Sequence, residues 1–372
     1  MKYTEIKDIS NINIYGRMGK QLQPLPLFAN GSGVEVTVDG SNLWIEVETD
    51  NDFHEPWVAY EINGALMGRQ MLLPGEHSIC LFRNMSAGVP KTVKFYRELQ
   101  AMSEDDKCKV LVKGFKTDGE YLPVPEHKVR IEFIGDSITS GEGTYGATPD
   151  TDWLAMYMSF SKDYAYMVSK ALDADYHVVS QGGWGVYSGW DNDIRHNIPS
   201  IYEKVCGLAG GPMNEAMGTQ EDYDFSWQPD AIVVNLGTND NSGFVQPPIL
   251  NPDDGKMYKL RTNEDGSYVR EDVLKIEDAT VDFLKMLRKH NPKAHIVWVY
   301  GMLGYGLSFA LSEAVNRYRL ETGDNNAVFL NVPNTMPDSY GAHMHPGVKS
   351  HEVAAVVLAE YLGSVLNIGE AK

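Results

Sequence analysis

Four short stretches of this 372-residue chain hold side chains able to do chemistry. Ile134-Gly135-Asp136-Ser137-Ile138-Thr139 sets a hydroxyl on a glycine-preceded turn, where a nucleophile stands clear with backbone N–H groups beside it. Gln181-Gly182-Gly183-Trp184-Gly185 offers exposed backbone donors, and Leu236-Gly237-Thr238-Asn239-Asp240 supplies a side-chain amide. Gly341-Ala342-His343-Met344-His345-Pro346 brings imidazoles. A serine hydroxyl is a poor nucleophile at neutral pH, so an imidazole must take its proton and later hand it to the leaving alcohol. The attacked carbonyl then carries negative charge on its oxygen, and losing one preorganised donor to that charge costs on the order of 10²–10³ in rate. Together these stretches hold the parts needed for nucleophilic acyl transfer.

Such residues converge only if the chain brings four strand ends and loops to one edge. From Val129 onward apolar runs alternate with helix-like segments: VRIEFIGDS, SFSKDYAYMVSKALDA, DYHVVSQGG, PDAIVVNLGTND, VLKIEDATVDFLKMLRKHN, AHIVWVYGM, AVFLNVP and HEVAAVVLAEYLGSVL. Strands alternating with helices imply a parallel sheet covered on both faces, whose sites lie at the carboxyl ends of the strands. Between about Ile14 and Val124 the pattern differs. Short β-rich runs such as Val34-Glu35-Val36-Thr37-Val38 alternate apolar and polar residues and are separated by Asp39-Gly40, Asn63-Gly64 and Asp118-Gly119 turns, as in a β-sandwich. Leu122-Pro123-Val124-Pro125-Glu126-His127 reads as the linker. The expected organisation is a jelly-roll-like β-sandwich over residues 1–125 and a three-layer α/β domain over 126–372.

The length suits two such units. With 32 Lys and Arg against 51 Asp and Glu, the net charge of -19 disfavours phosphate backbones and anionic membrane surfaces, so neither nucleic acid nor membrane is an expected partner. No apolar core of a secretory signal appears in the first twenty residues, and no run reaches the ~20 apolar residues of a membrane span, so the expected location is the cytoplasm. Cys80, Cys108 and Cys206 lack disulfide or zinc spacing and are expected to be packing residues; with no HExxH or clustered carboxylates, neither a metal nor another cofactor is called for. His54, His127, His177, His196, His290 and His295 have no partner pattern. The polar insertion NPDDGKMYKLRTNEDGS is expected as an exposed loop or hairpin, or as a border of the site it follows.

The GDS, QGG, GTND and HP stretches, in this order, resemble the four blocks of the SGNH/GDSL hydrolase superfamily. The resemblance implies that Ser137 is the nucleophile and also lends its backbone N–H to the oxyanion hole. It further implies that Gly183, with Gly182 and Gly185 as alternative registers, and Asn239 complete that hole, and that His345 is the base. His343 competes as base, but the His-Pro pair and the register against the last helix favour His345. The acid usual three residues before the base is replaced by Ala342. Asp338, His343 or a backbone carbonyl is left to orient His345, and a Ser-His dyad is favoured. Asp136 and Asp240 are read as holding loops through backbone N–H groups.

A β-sandwich ahead of this domain, with a last block reading GAxxHPGVxSHEVAA, is similar to carbohydrate esterase family 2. That likeness implies removal of O-acetyl groups from manno- or xylo-oligosaccharides through an acetyl-Ser137 intermediate. Trp184, Tyr187, Trp190 and Tyr145 are then candidate sugar platforms, with Trp153 nearby; in a large domain such residues also serve as core or rim. Two alternatives stay open: a lipid or thioester hydrolase on the same fold, and a non-catalytic carbohydrate-binding protein.

Overall fold

In the computed structural model, which describes residues 1–368, the alternation after Val129 folds as a five-stranded parallel sheet. Its strands are β1 (Val129–Gly135), β2 (Ala174–Ser180), β3 (Ala231–Asn235), β4 (His295–Met302) and β5 (Ala327–Asn334), in the order β2-β1-β3-β4-β5. Near-continuous apolar runs form these strands because both faces are buried. Ile131, Phe133, Val233 and Val297 face helices α1 (Tyr164–Leu172) and α5 (Val348–Val365). Ile134, Val234, Ile296 and Trp298 face α3 (Arg270–His290) and α4 (Ser308–Thr322). Between β3 and α3 lies the short α2 (Thr238–Gly243). No helix among the described residues is long and apolar enough to cross a membrane.

The register aligns the chemistry. Gly135 at the end of β1 pairs with Ser180 of β2 and Asn235 of β3, so three loops leave the sheet side by side. The strand order reverses between β1 and β3, the crevice where open α/β sheets take ligands.

Residues 2–122 form two antiparallel sheets packed face to face, one built around Leu43–Asp50 and Lys109–Thr117, the other around Gly33–Val38 and Lys91–Arg97. Along Leu43–Asp50 buried and half-buried residues alternate strictly, the period-2 signature of a strand with one face on the core. Val34, Val36, Ile45, Val93, Phe95 and Val112 fill the space between the sheets.

Three features differ from the sequence reading. Helix α4 was absent from it, because its buried face is a stripe of Ala310, Leu311, Ala314, Val315 and Tyr318 broken by the exposed Phe309 and Leu320. Strand Ala65–Met71 was missed because it is an exposed edge without apolar alternation. Cys80 is exposed rather than packed, whereas Cys108 and Cys206 are buried.

The sandwich meets the α/β domain through buried polar contacts. Arg17 donates to Glu132 of β1 from Nε at 3.1 Å and Nη2 at 2.9 Å, with both side chains at most 3% exposed. The same guanidinium donates to the carbonyls of Tyr202 and Lys204. His127, at the start of the α/β part, touches Tyr15 of the sandwich at 2.5 Å in a half-buried contact. A buried pair of this kind costs stability when one partner is removed and fixes how the two parts dock.

Candidate active site

Ser137 occupies the turn after β1, buried, with its Oγ 2.8 Å from His345 Nε2. His345 lies between β5 and α5, and its Nδ1 is 2.7 Å from the carbonyl oxygen of His343. A carbonyl only accepts, so Nδ1 carries the hydrogen and the Nε2 lone pair is left for the hydroxyl. The carbonyl reaches this place because His343 and Met344 both adopt left-handed backbone, with φ of 52° and 56°. Two non-glycine residues in that region cost about 1–3 kcal/mol each, strain of the kind found at functional sites. Of the three candidate orienting groups, the geometry selects the carbonyl. Asp338 is 79% exposed and pairs instead with Ser339 and Lys349.

Glu142, five residues past Ser137, was not singled out in the sequence. Its buried carboxylate lies 2.6 Å from His343 Nδ1 and 3.5 Å from His345 Nδ1. Burial pushes its pKa up, but the His345 and His343 imidazoles outweigh burial and hold it below the usual carboxylate range. The hydrogen bond to Glu142 in turn raises His343, against burial. The two imidazoles stack at 5.3 Å with planes 6° apart. Gly143, at φ +77°, allows the approach: a Cβ there would sit 2.7 Å from the His345 Cβ. The only sequence cue was an acid held between two glycines, Gly141-Glu142-Gly143.

The loops that leave the sheet beside Ser137 carry the candidate donors. Among the described residues neither the Ser137 nor the Gly183 backbone N–H has a hydrogen-bond partner. The Gly182 N–H is taken by Gln100 Oε1 at 2.7 Å and the Gly185 N–H by His196 O at 3.3 Å, which separates the three registers left open by the sequence. Gly183 needs its φ of +79°, and Trp190 packs over it, 3.2 Å from where a Cβ would lie. The Asn239 amide, on α2, donates to Trp184 O at 2.9 Å and to Asp136 Oδ2 at 3.2 Å. Asp136, fully buried, is pushed up to about 7 by that burial, with the Asp240 and Glu142 charges adding and the Ile138 N–H opposing. Asp240 accepts from the N–H groups of Val186, Tyr187 and Ser188 at 2.8–3.0 Å and so shapes the loop that carries Gly183.

The sandwich reaches this site too. Besides Gln100, Asn30 donates to Thr139 O at 2.9 Å and accepts from Ser180 Oγ at 2.9 Å. Both side chains are buried.

The aromatic candidates divide. Trp190 is half exposed over Gly183. Trp184 stacks on His196 at 5.2 Å and, like Tyr187, packs against the core. The Arg69 guanidinium lies 4.3 Å from the Tyr145 ring centre and 4.0 Å from that of Trp57. Trp153 meets His54 edge-on at 5.0 Å. Glu142, His343 and His345 are close enough to share a metal ion, but Glu142 and the His343 carbonyl already hydrogen-bond the two Nδ1 atoms.

The family model described as GDSL-like lipase/acylhydrolase matches residues 131–357. A solved acetyl xylan esterase from the rumen bacterium Butyrivibrio proteoclasticus is 62% identical over 99% of both chains, with a TM-score of 0.98. An acetylxylan esterase / glucomannan deacetylase of Cellvibrio japonicus is 25% identical over 346 residues, 91% of this chain and 84% of that protein. A family two carbohydrate esterase from Clostridium thermocellum, solved with cellohexaose, shares the fold at a TM-score of 0.77 and 21% identity, covering 96% and 99% of the two chains.

Proposed function

Because this chain belongs to the GDSL-like lipase/acylhydrolase family and is closely related to family 2 carbohydrate esterases, we propose that it is a serine esterase removing O-acetyl groups from xylo- or manno-oligosaccharides. The observation that carries the mechanism is the pair of contacts on His345: Nε2 on Ser137 Oγ at 2.8 Å and Nδ1 on a carbonyl at 2.7 Å. Ser137 Oγ attacks the acetyl carbon as its proton passes to His345 Nε2. The carbonyl oxygen takes the negative charge and is met by the N–H groups of Ser137 and Gly183 and by the Asn239 amide, which turns one N–H from Asp136. As the tetrahedral species collapses, the sugar oxygen leaves with the proton from Nε2, and Ser137 keeps the acetyl group. Water then attacks the acetyl carbon with His345 again as base, releasing acetate and the free serine.

The imidazolium formed in each step is held by a neutral carbonyl, where a triad would place a carboxylate. Glu142 supplies the missing negative charge from one side, and His343 carries the hydrogen bond between them. The alternative of a decayed, purely binding protein is disfavoured by a hydroxyl and base already in hydrogen-bond contact, with the Ser137 and Gly183 N–H groups unengaged among the described residues. A cytoplasmic setting, in which the enzyme meets imported oligosaccharides, belongs to the proposal, and finding the native protein outside the cell overturns that part. The test is acetate release from acetylated manno- and xylo-oligosaccharides by the protein and its Ser137→Ala variant, beside a chain-length series of 4-nitrophenyl esters. Release by the parent alone, falling off with acyl length, supports the reading; cleavage that improves with chain length points to a lipid or thioester substrate instead.

A further inference from the structure

Tyr187, Asn192 and Ile194, from the loop that carries Gly183, line a cavity of about 330 Å³, within the ~300–1,000 Å³ of small-ligand sites. Its wall carries Lys256, Lys259, Arg261 and Lys275, two tyrosines, Tyr187 and Tyr258, and no carboxylate. In a chain of net charge -19 this concentration of cations is the opposite of the average surface. The nearby acids do not cancel it. Arg261 and Lys275 share one carboxylate, Asp272, at 2.7 and 2.6 Å, Lys256 lies 3.7 Å from Asp254, and Lys259 has no ion-pair partner among the described residues. The four cations thus have two carboxylates in ion pairs, with Glu271 a third acid near Arg261.

The cavity is tied to the catalytic loop. Tyr187 is four residues past Gly183, a span of at most about 14 Å, and its N–H is bound by Asp240 beside Asn239. The hairpin bearing Lys256 and Tyr258 is pinned to the same loop by buried Asn192, which accepts from Leu260 N at 2.9 Å and donates to Gly243 O at 3.0 Å. Resting on the oligosaccharide reading above, we propose that this cavity binds a carboxylate-bearing sugar, a uronosyl branch of the acetylated oligosaccharide, while the acetyl group sits at Ser137. The tyrosine rings offer faces to the sugar and the lysines meet its carboxylate. An acidic substrate is otherwise repelled by this protein, so a local cluster of cations is what its recognition requires.

The experiment compares kcat/KM for acetylated xylo-oligosaccharides carrying a glucuronosyl branch with the same material after carboxyl reduction to a neutral branch. The ratio cancels any general loss of activity. The parent is expected to favour the acidic form about tenfold at low salt, the worth of one charge-assisted contact, and less so near 0.5 M salt. In Lys256→Glu/Lys259→Glu the ratio is expected to fall to about one, whereas Lys113→Glu/Lys116→Glu, with the same charge change on the sandwich strand Lys109–Thr117, retains it. A parent ratio of one, or a preference surviving in the cavity variant, overturns the proposal. If neither oligosaccharide is cleaved while 4-nitrophenyl acetate is, the substrate reading fails separately. The cavity is then read by calorimetric titration of Ser137→Ala with both oligosaccharides: tighter binding of the acidic form supports the proposal and equal binding overturns it.

Discussion

Replacing Glu142 by Gln keeps the shape of the site and removes the carboxylate charge beside the His343 and His345 imidazoles. At 3.5 Å and an effective dielectric of 20, that charge stabilises an imidazolium on His345 by about 5 kcal/mol. When His343 is itself protonated, its repulsion across 5.3 Å returns about 3 kcal/mol, leaving about 2. Glu142 raises the His343 pKa, so a window opens above 6.5 in which His343 is charged in the parent and neutral in the variant. Inside that window the variant is expected to lose roughly tenfold in kcat/KM; above it, where His343 is neutral in both, the loss grows toward about 10³-fold. The assay is kcat/KM for 4-nitrophenyl acetate from pH 6.5 to 9, with Glu142→Asp alongside, which should recover part of the loss. A Glu142 that merely holds its loop gives a deficit independent of pH, and that result, or a deficit under twofold throughout, refutes the reasoning.

Three further outcomes follow from the buried polar groups. His351 is held down to about 3, first by burial, so the folded state stays neutral where the unfolded chain protonates; stability should fall by about 1.4 kcal/mol per pH unit below 6.5, and chemical denaturation of His351→Asn should show a flatter slope. Asp136 is pushed the other way, to about 7, so the folded state binds the extra proton and stability drops as pH rises from 3.8 through 7; Asp136→Asn should gain on the order of 2 kcal/mol more at pH 8 than at pH 5 in denaturation curves. Gln100→Leu leaves the Gly182 N–H without its acceptor and should cost about 1–3 kcal/mol in stability; an unchanged unfolding midpoint would show that contact to be idle.

The α/β part of the fold was legible because its strands are buried on both faces and its long helix α3 is amphipathic, patterns that a linear reading detects. Helix α4 and the edge strand Ala65–Met71 escaped because small or exposed residues erase the period. Ser137, Asn239 and His345 stood out by being placed after strands or before a helix, and the structure brings all three to one edge. Glu142 did not, because its relation to His345 spans some two hundred residues and is set by the left-handed turn at His343. Gln100 and Asn30 belong to the sandwich, and no pattern along the chain tells which of its loops touches the next domain. Net charge misled in one respect: -19 describes the whole surface and hid four cations gathered on one wall.

The central claim is that acetyl passes through Ser137. Mixing the protein with an acetylated xylo-oligosaccharide, quenching in acid within milliseconds and mapping peptides by mass spectrometry tests it directly. The account predicts one acetyl group on the peptide containing Ser137 in the parent, and none in Ser137→Ala or, where the base that takes the Ser137 proton is missing, in His345→Ala. Acetate released at the parent rate by Ser137→Ala, or an acetyl group found on another residue instead, would contradict it.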